Sequence, residues 1–411
     1  MNVKNANWTA LFAANFFGVF NDNFLKHCIV FIAVAWALPD WLSQAQLVSL
    51  ISAALVLPYI LFSPLAGHWA SRYSKQRIFR IFKFIELLIM LMASVAFWFE
   101  WVWLAVFSVL IMGFQSCLYS PAKYGLIRDV GGERGVSFGS GVFETMAFLG
   151  ILFGTVAASL LSDHYRFWIL VLLFMGLALL GYFSAARLRV QESKEQVGGM
   201  SVINPFRFVV QSFRLAKAHK GVNAGVLGAS IFWLLGGLVQ MNLVIHCVQT
   251  LETSNTVAGI VLSCAAVGIA MGSTVAGLLA HGRLRPAMIP IGLLGMAISL
   301  ALILLFQPGV LWLSVLVFLL AFMGGIFEVP CLAMVQRAEV GRHLGQLIGY
   351  LNLITFLFVI VGSFIFSITT ALSKDNSYVV FAVILLITLL TLVYYAIRYP
   401  QFFARKSLTG L

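Results

Sequence analysis

The hydrophobic and polar positions along the chain alternate in long blocks. Most apolar blocks reach about 20 residues, the length that a helix needs to cross the hydrocarbon core of a bilayer. Six blocks precede a polar stretch at 187–220 and six follow it. The pattern predicts transmembrane helices at 9–36, 45–66, 79–99, 102–120, 137–161, 167–186, 221–248, 257–280, 286–306, 310–333, 345–371 and 378–398.

The polar stretch divides the chain into three predicted parts. We expect a six-helix bundle at 1–186, a basic cytoplasmic linker at 187–220 and a second six-helix bundle at 221–411. A helix over 204–220 would carry apolar residues on one face and basic residues on the other, which favours an interfacial helix on the anionic inner leaflet. A flexible tether is the alternative. The apolar face consists of Phe206, Val209, Val210 and Phe213.

The composition excludes a water-soluble globule. Hydrophobic residues make up 61% of the 411 and charged residues only 10%, whereas a soluble domain has about 25% charged residues. Most of the 26 Lys and Arg fall in alternate connections, which predicts that the linker and both termini are cytoplasmic. The connection after the second span supplies Arg72, Lys75, Arg77, Arg80 and Lys83 to this set. Because membrane orientation accounts for the net charge of +12, we expect no nucleic-acid partner.

The sequence carries no motif of metal, nucleotide or acyl-transfer chemistry. The five cysteines lie in or beside apolar runs and form no C-x-x-C pair. A G-x-x-x-x-G-K-[ST] loop and an H-x-x-x-x-D spacing are both absent, which argues against an ATP-driven pump and an acyltransferase. We therefore predict a protein that is not an enzyme and that uses no metal or other cofactor.

The two halves of the chain resemble each other at a shift of about 210 residues. The matched positions are Gly67 with Gly277, Pro121 with Pro330, Arg128 with Arg337, and Gly131, Gly135 and Gly139 with Gly341, Gly345 and Gly349. A duplicated six-span unit joined by a basic linker is the pattern of the major facilitator superfamily. In such transporters, two bundles rock about a site at the membrane midplane. We therefore predict an all-α membrane protein with this fold and twelve transmembrane helices.

Ionisable residues inside the predicted spans are the main candidates for a substrate site, since each costs about 2.5–3.5 kcal/mol to insert. Asp22 and Lys26 lie four residues apart on the first span and share a helix face. Asn21 and Asn23 flank Asp22. This density of polar groups favours a substrate site over the alternative, a structural ion pair.

Other polar residues lie within later spans. Glu86 is in the third span, Glu144 in the fifth and Glu328 in the tenth, and Gln240 and Asn242 are in the seventh. Glu86 has an alternative place near the inner interface, and Glu328 an alternative role as the cap of a bent helix. Because four of the five intramembrane charges fall in the N-terminal half, we predict a cavity with one polar and one apolar wall. Such a cavity suits an amphiphile with a charged head group and an acyl chain.

The connection after the second span carries a weakened form of the superfamily's loop signature. Gly67 is followed by Arg72, Lys75 and Arg77, but Ser71 stands where an Asp is expected. The usual ion pair to neighbouring helix ends is therefore in question, and we expect these basic residues to bind carbonyl groups or lipid phosphate. Further gating positions follow the fourth span, at Pro121, Lys123, Tyr124 and Arg128.

Several motifs resemble the bacterial lysophospholipid transporter family, in order along most of the chain. They are Phe20-Asn21-Asp22-Asn23, Tyr119-Ser120-Pro121-Ala122-Lys123-Tyr124-Gly125, Phe232-Trp233, Gly324-Gly325 and Val329-Pro330. The resemblance implies import of lysophosphatidylethanolamine and lysophosphatidylglycerol to the inner leaflet of the bacterial inner membrane. A separate acyltransferase–acyl carrier protein synthetase would then reacylate them. It also implies that Asp22 and Glu144 line the polar part of the pathway and that Lys123 is the basic residue of the loop motif.

Two positions depart from that family. Gln240 stands where the family carries an Arg, and Lys26 is not part of its pattern. Lys26 would supply the missing positive charge from another helix, which leaves the head-group preference open. The alternative function is proton-coupled export of small amphipathic compounds, with Asp22 or Glu144 loading and releasing protons. In either case we expect a monomer surrounded by membrane lipids.

Overall fold

The structure is a computed structural model that describes residues 3–33, 36, 44–163, 165–192, 205–374 and 376–403. Within these residues, every regular element is a helix. The α-helices are α1 (Val3–Phe31), α2 (Gln44–Arg72), α3 (Lys75–Trp98), α4 (Val102–Asp163), α5 (Phe167–Arg187), α6 (Pro205–Ala218), α7 (Val222–Ile245), α8 (Asn255–Leu279), α9 (Met288–Phe306), α10 (Val310–Gln336), α11 (Leu344–Ser373) and α12 (Ser377–Arg398).

The predicted all-α architecture with twelve spans is confirmed. Ten helices in the described part of the chain are long and apolar enough to cross a membrane. One of them, α4, contains both the fourth and the fifth predicted span, and α1 is not among the ten because polar residues interrupt its apolar run. The two arms of α4 meet at Gly132, whose dihedral angles of φ 62° and ψ −174° are open only to glycine.

The outer surface of the helices identifies a multi-pass membrane protein. Large apolar side chains are exposed on many of the helices. Leu372, for example, is 81% exposed and Leu305 is 76% exposed. Helices with such surfaces are stable in lipid, where all backbone groups are satisfied within the helix. Trp98 at the end of α3 and Trp168 at the start of α5 are also exposed, as in the aromatic belts of membrane interfaces.

The chain forms two compact units. Unit one consists of Met1–Gly132, Leu149–Ala218 and Ala338–Leu353, and unit two of Glu133–Phe148, His219–Arg337 and Ile354–Leu411. Each unit therefore combines most of one sequence half with a short segment of the other. In unit one, the core between α1, α3 and α5 contains the fully buried rings of Phe24 and Phe174 together with Met90.

The internal repeat reappears as a close helix contact within each unit. In unit one, a Cβ atom at Gly67 of α2 would lie 3.1 Å from the carbonyl oxygen of Gly345 in α11. In unit two, a Cβ atom at Gly277 of α8 would lie 3.2 Å from the Cα atom of Gly141 in α4. Small residues at these positions let the two backbones approach closely.

The predicted helix of the linker is present as α6. Its fully buried side chains are Phe208, Ser212 and Ala216, and Ser212 Oγ accepts a hydrogen bond of 3.1 Å from Gln346 Nε2. Phe206 and Phe213 are 76% and 47% exposed, as a side in contact with a lipid leaflet requires. The leaflet contact stays a prediction, and residues 193–204 of the linker lie outside the described residues.

Candidate functional site

Three helices of unit one bring five polar side chains together. Asn21 and Asp22 come from α1, Lys83 and Glu86 from α3, and Ser116 from α4. We call these residues the Asp22 cluster. Lys83 Nζ lies 2.6 Å from Glu86 Oε2, and Asn21 Nδ2 donates a 3.3 Å hydrogen bond to Glu86 Oε1. Ser116 Oγ donates to Asp22 Oδ2 at 3.0 Å.

Lys83 is enclosed because α1 carries a glycine where the ammonium group lies. A Cβ atom at Gly18, one helical turn before Asp22, would clash with Lys83 Nζ. The ring of Tyr119 lies on another side of the ammonium group, 5.8 Å from Nζ to the ring centroid. The sequence-based placement of Lys83 in a cytoplasmic connection is therefore wrong. It lies in the third turn of α3 with 0% side-chain exposure, because α3 begins at Lys75.

Asp22 and Lys26 keep their charged groups available. Asp22 is half-buried, accepts one hydrogen bond, from Ser116, and forms no ion pair with any described residue. Lys26 is also half-buried, and its ammonium group has neither a hydrogen bond nor an ion pair among the described residues. The structural ion pair considered as the alternative is thus not formed. Asn23 differs, since its Nδ2 donates to Val19 O of the same helix at 2.8 Å.

Glu144 and Glu328 lie in unit two. The start of the second arm of α4 packs against α8 and α10, where Thr145 Oγ1 lies 2.7 Å from Thr274 Oγ1. Glu144 and the indole of Trp233 in α7 lie beside the carboxyl group of Glu328 in α10. We call Glu144, Trp233 and Glu328 the Glu328 cluster.

The Glu328 cluster differs from the Asp22 cluster in its hydrogen bonds. Both carboxyl oxygens of Glu328 are buried and have no partner that meets hydrogen-bond geometry in the described chain. Phe148 stacks on Trp233 with ring centroids 6.0 Å apart, so the surroundings of the cluster are aromatic. The alternative role of Glu328 as a helix cap is not seen, because a cap would accept hydrogen bonds from backbone N–H groups.

The predicted residues of the seventh span have other surroundings. Gln240 is exposed. Asn242 is buried more than two helical turns beyond Trp233, and its Nδ2 donates to Ser377 O at 3.0 Å. His246 Nδ1 lies 2.8 Å from Ser377 Oγ. These contacts attach α7 to the first residue of α12, and substrate binding by Gln240 and Asn242 stays a prediction.

The loop signature forms an ion pair despite its missing Asp. Lys75 Nζ lies 2.6 Å from Asp129 Oδ2 at the end of the first arm of α4. Ser71 Oγ instead donates to Gly67 O of its own helix at 2.8 Å. The observed partner of Lys75 is thus a carboxylate, and binding of lipid phosphate by these basic residues stays a prediction. The carboxylate partner was not considered, because Asp129 lies far from Lys75 in the sequence.

Glu192 caps the first turn of α3. Its carboxylate accepts hydrogen bonds from the backbone N–H groups of Lys75 and Gln76, at 2.7 and 2.9 Å, and from Ser74 Oγ at 2.7 Å. A negative charge at this position stabilises the free N–H groups and the dipole of the helix N-terminus. Two carboxylates therefore bind the start of α3: Glu192 binds its backbone N–H groups, and Asp129 binds the side chain of Lys75.

The other gating positions contact backbone carbonyls or aromatic rings. The Arg128 guanidinium donates to Ala338 O, and the backbone oxygen of Arg72 accepts a 3.1 Å hydrogen bond from Arg342 Nη1. Lys123 Nζ lies 5.2 and 5.4 Å from the ring centroids of Tyr119 and Tyr124 and 3.4 Å from Asn15 Oδ1. Pro121 is buried and Arg77 is exposed.

Sequence reasoning missed Lys83 and Ser116 as members of the Asp22 cluster. The signal for Lys83 was present, because it precedes Glu86 by three residues inside the predicted third span and such residues face each other on a helix. No comparable signal existed for Ser116. A serine in an apolar span usually bonds to its own helix, as Ser94 Oγ does with Met90 O at 2.8 Å.

Comparisons with known proteins agree with this architecture. The family model described as Major Facilitator Superfamily matches residues 10–245 and 225–406. The chain is 28% identical over 342 residues to the lysophospholipid transporter LplT of Photorhabdus laumondii, covering 81% of this chain and 80% of that protein. It is 27% identical over 354 residues to LplT of Escherichia coli K12, covering 84% of each. The resemblance that the motifs indicated is confirmed.

Solved structures show the same fold at low sequence identity. The human organic anion transporter MFSD10 has a TM-score of 0.75 and 15% identity, covering 95% of this chain and 99% of that one. The E. coli fucose:proton symporter FucP has a TM-score of 0.71 and 14% identity, covering 94% and 98%. With the family match across both sequence halves and the two-unit helical fold, the chain belongs to the major facilitator superfamily.

Proposed function

We propose that the protein transports lysophospholipids across the bacterial inner membrane by alternating access. One observation carries the proposal: a carboxylate and an ammonium group without ionic partners lie one helical turn apart on α1. These are the groups of Asp22 and Lys26. An ethanolamine phosphate head group presents the complementary charges, an ammonium and a phosphate joined by a short ethylene bridge. The relatives named lysophospholipid transporter support the same substrate class.

The two charges have separate roles in this proposal. Asp22 binds the substrate ammonium and Lys26 binds the phosphate, each through charge-assisted hydrogen bonds. Ser116 holds one oxygen of Asp22 at 3.0 Å and leaves the other for the substrate. The acyl chain follows apolar helix surface or lipid. The pathway involves no covalent chemistry and no cofactor.

The membrane context follows from charge and resemblance. The basic connections face the cytoplasm, so both termini lie there and lipid moves toward the inner leaflet. A separate acyltransferase–acyl carrier protein synthetase consumes the product. The protein acts as a monomer, with α6 on the inner leaflet through Phe206 and Phe213.

Uptake by spheroplasts tests the proposed function. Cells that lack their own transporter receive labelled lysophosphatidylethanolamine with and without an uncoupler. We expect the expressed protein to accumulate label above an empty-vector control, and we expect accumulation to persist when the proton gradient collapses. Uptake equal to the vector control, at matched protein levels in the membrane, would contradict the proposal.

A specific observation also favours a second candidate, proton-coupled export of small amphipathic compounds. The carboxyl group of Glu328 is buried beside Glu144 and the indole of Trp233, and neither of its oxygens has a partner that meets hydrogen-bond geometry among the described residues. Intramembrane carboxyl groups of this kind serve as proton relays in pumps and transporters. The uncoupler distinguishes the two functions, because it would abolish transport only in the second.

A further inference from the structure

The Lys83–Glu86 ion pair is completely enclosed in unit one. The two side chains are 0% and 1% exposed, and their charged atoms are 2.6 Å apart. An enclosed cation cannot contact a head group that enters from a cavity. Lys83 is therefore not itself a lipid ligand, in contrast to the half-buried Lys26.

The Lys83–Glu86 pair lies near the Asp22 carboxylate, but Lys83 forms no ion pair with Asp22. Glu86, Lys83 and Lys123 are the charged groups that act electrostatically on Asp22. Neither lysine is within 4.0 Å of the Asp22 carboxylate. Lys83 thus has two carboxylates within its surroundings and binds only one of them.

Three contacts determine which carboxylate Lys83 binds. Glu86 follows it by three residues on the same helix, so the two side chains meet without any movement of α3. Asn21 Nδ2 donates to the second oxygen of Glu86 at 3.3 Å and fixes the carboxylate toward the lysine. Ser116 of α4 donates a hydrogen bond to Asp22 Oδ2 and so keeps the Asp22 carboxylate in place.

We propose that the Lys83–Glu86 pair keeps Asp22 ionically unpaired, so that Asp22 selects substrates that carry a cationic head group. Lys83 and Glu86 are positioning residues in this arrangement, since they act through Asp22. The inference rests on the proposed function and deepens it, because it names an ammonium head group as the preferred one. Without Glu86, Lys83 turns to Asp22 and occupies the place of the substrate cation.

Head-group selectivity tests this inference. Spheroplasts receive labelled lysophosphatidylethanolamine, which has an ammonium group, or lysophosphatidylglycerol, which has none. The readout is the ratio of the two uptake rates, normalised to protein in the membrane. We expect Glu86→Gln to lower this ratio about tenfold, the effect of losing one charge-assisted hydrogen bond. A purely structural defect would lower both rates together and leave the ratio unchanged.

Two further variants make the test specific. In Lys83→Met/Glu86→Gln no lysine remains to occupy Asp22, and we expect the ratio to return to within about twofold of the parent. Asp129→Asn is the matched control, because it breaks another lysine–carboxylate pair of 2.6 Å in the same unit, the one with Lys75. It should leave the ratio unchanged whatever its effect on the rates.

The outcomes separate the inference from the proposed function. If the unmodified protein takes up neither lipid, the proposed function itself is wrong. Uptake of both lipids with a parental ratio in Glu86→Gln would overturn the inference alone. If Glu86→Gln fails to reach the membrane, Glu86→Ala takes its place, because it also leaves Lys83 without its carboxylate. A ratio about tenfold below the parent then supports the proposal, and a parental ratio overturns it.

Discussion

The Asp22 cluster of unit one and the Glu328 cluster of unit two both place carboxyl groups inside a membrane protein, but they differ in the partners that these groups have. Each contains two carboxyl groups on neighbouring helices of a membrane protein. In the Asp22 cluster, Lys83, Asn21 and Ser116 supply a cation and hydrogen-bond donors. In the Glu328 cluster, the two oxygens of Glu328 meet no hydrogen-bond partner among the described residues.

The difference indicates which carboxyl groups have partners that compensate for burial. Burial of an ionised group is costly unless an ion pair and hydrogen bonds compensate for it. In the Asp22 cluster this compensation goes to Glu86, through Lys83 and Asn21, whereas Asp22 accepts a hydrogen bond from Ser116 and has no ion pair among the described residues. Glu328 lacks such an ion pair in the described part of the chain, and its surroundings include the second carboxyl group of Glu144 and the indole of Trp233. A cavity with one polar and one apolar wall stays a prediction, and Glu144, which was assigned to the polar wall, belongs to unit two.

Removal of the cation from the Asp22 cluster should have the largest effect on stability. Lys83→Met leaves Glu86 enclosed beside Asp22 without a counter-charge, and we expect the free energy of unfolding to fall by about 3–5 kcal/mol. The measurement is the temperature at which the detergent-solubilised protein loses its monodisperse peak in size-exclusion chromatography. Lys83→Met/Glu86→Gln should recover most of the loss, and an equally low temperature for both variants would show that packing, not charge, is responsible.

The corresponding change in the Glu328 cluster should have little effect. Glu328→Gln breaks no ion pair among the described residues and keeps an oxygen atom beside the Trp233 indole, so we expect a change in unfolding free energy within about 1 kcal/mol. The same thermal assay compares it with Lys83→Met on one scale. A loss as large as that of Lys83→Met would mean that Glu328 has a stabilising partner and would remove the contrast between the clusters.

Much of the fold was predictable from the sequence, because a helix that crosses the bilayer needs about 20 consecutive apolar residues. Apolar blocks of sufficient length gave the spans, and Gly67 and Gly277, which the repeat matched, both lie at close helix contacts. The merging of two spans into α4 was not predictable, because Gly131 and Gly132 are typical of a loop and only Gly132 leaves helical geometry.

The candidate site was predictable only in part. Asp22, Asn21 and Glu86 were identified because polar residues are rare in apolar spans, and they do lie together. Lys83 was misplaced because it was counted with the basic residues of the preceding connection, although the predicted third span at 79–99 contains it. Asp129 and Glu192 were missed because their contacts join distant parts of the chain, and such contacts depend on packing that no local pattern contains.

Transport by purified protein in proteoliposomes tests the central claim, that the unpaired Asp22 carboxylate binds the substrate ammonium. Asp22→Asn should lower uptake of lysophosphatidylethanolamine about tenfold and leave lysophosphatidylglycerol uptake near the parental rate. Lys26→Met should lower uptake of both lipids, because both carry a phosphate. Glu100→Gln, the same chemical change at an exposed connection, is the control and should match the parent. Undiminished lysophosphatidylethanolamine uptake by Asp22→Asn would contradict the claim.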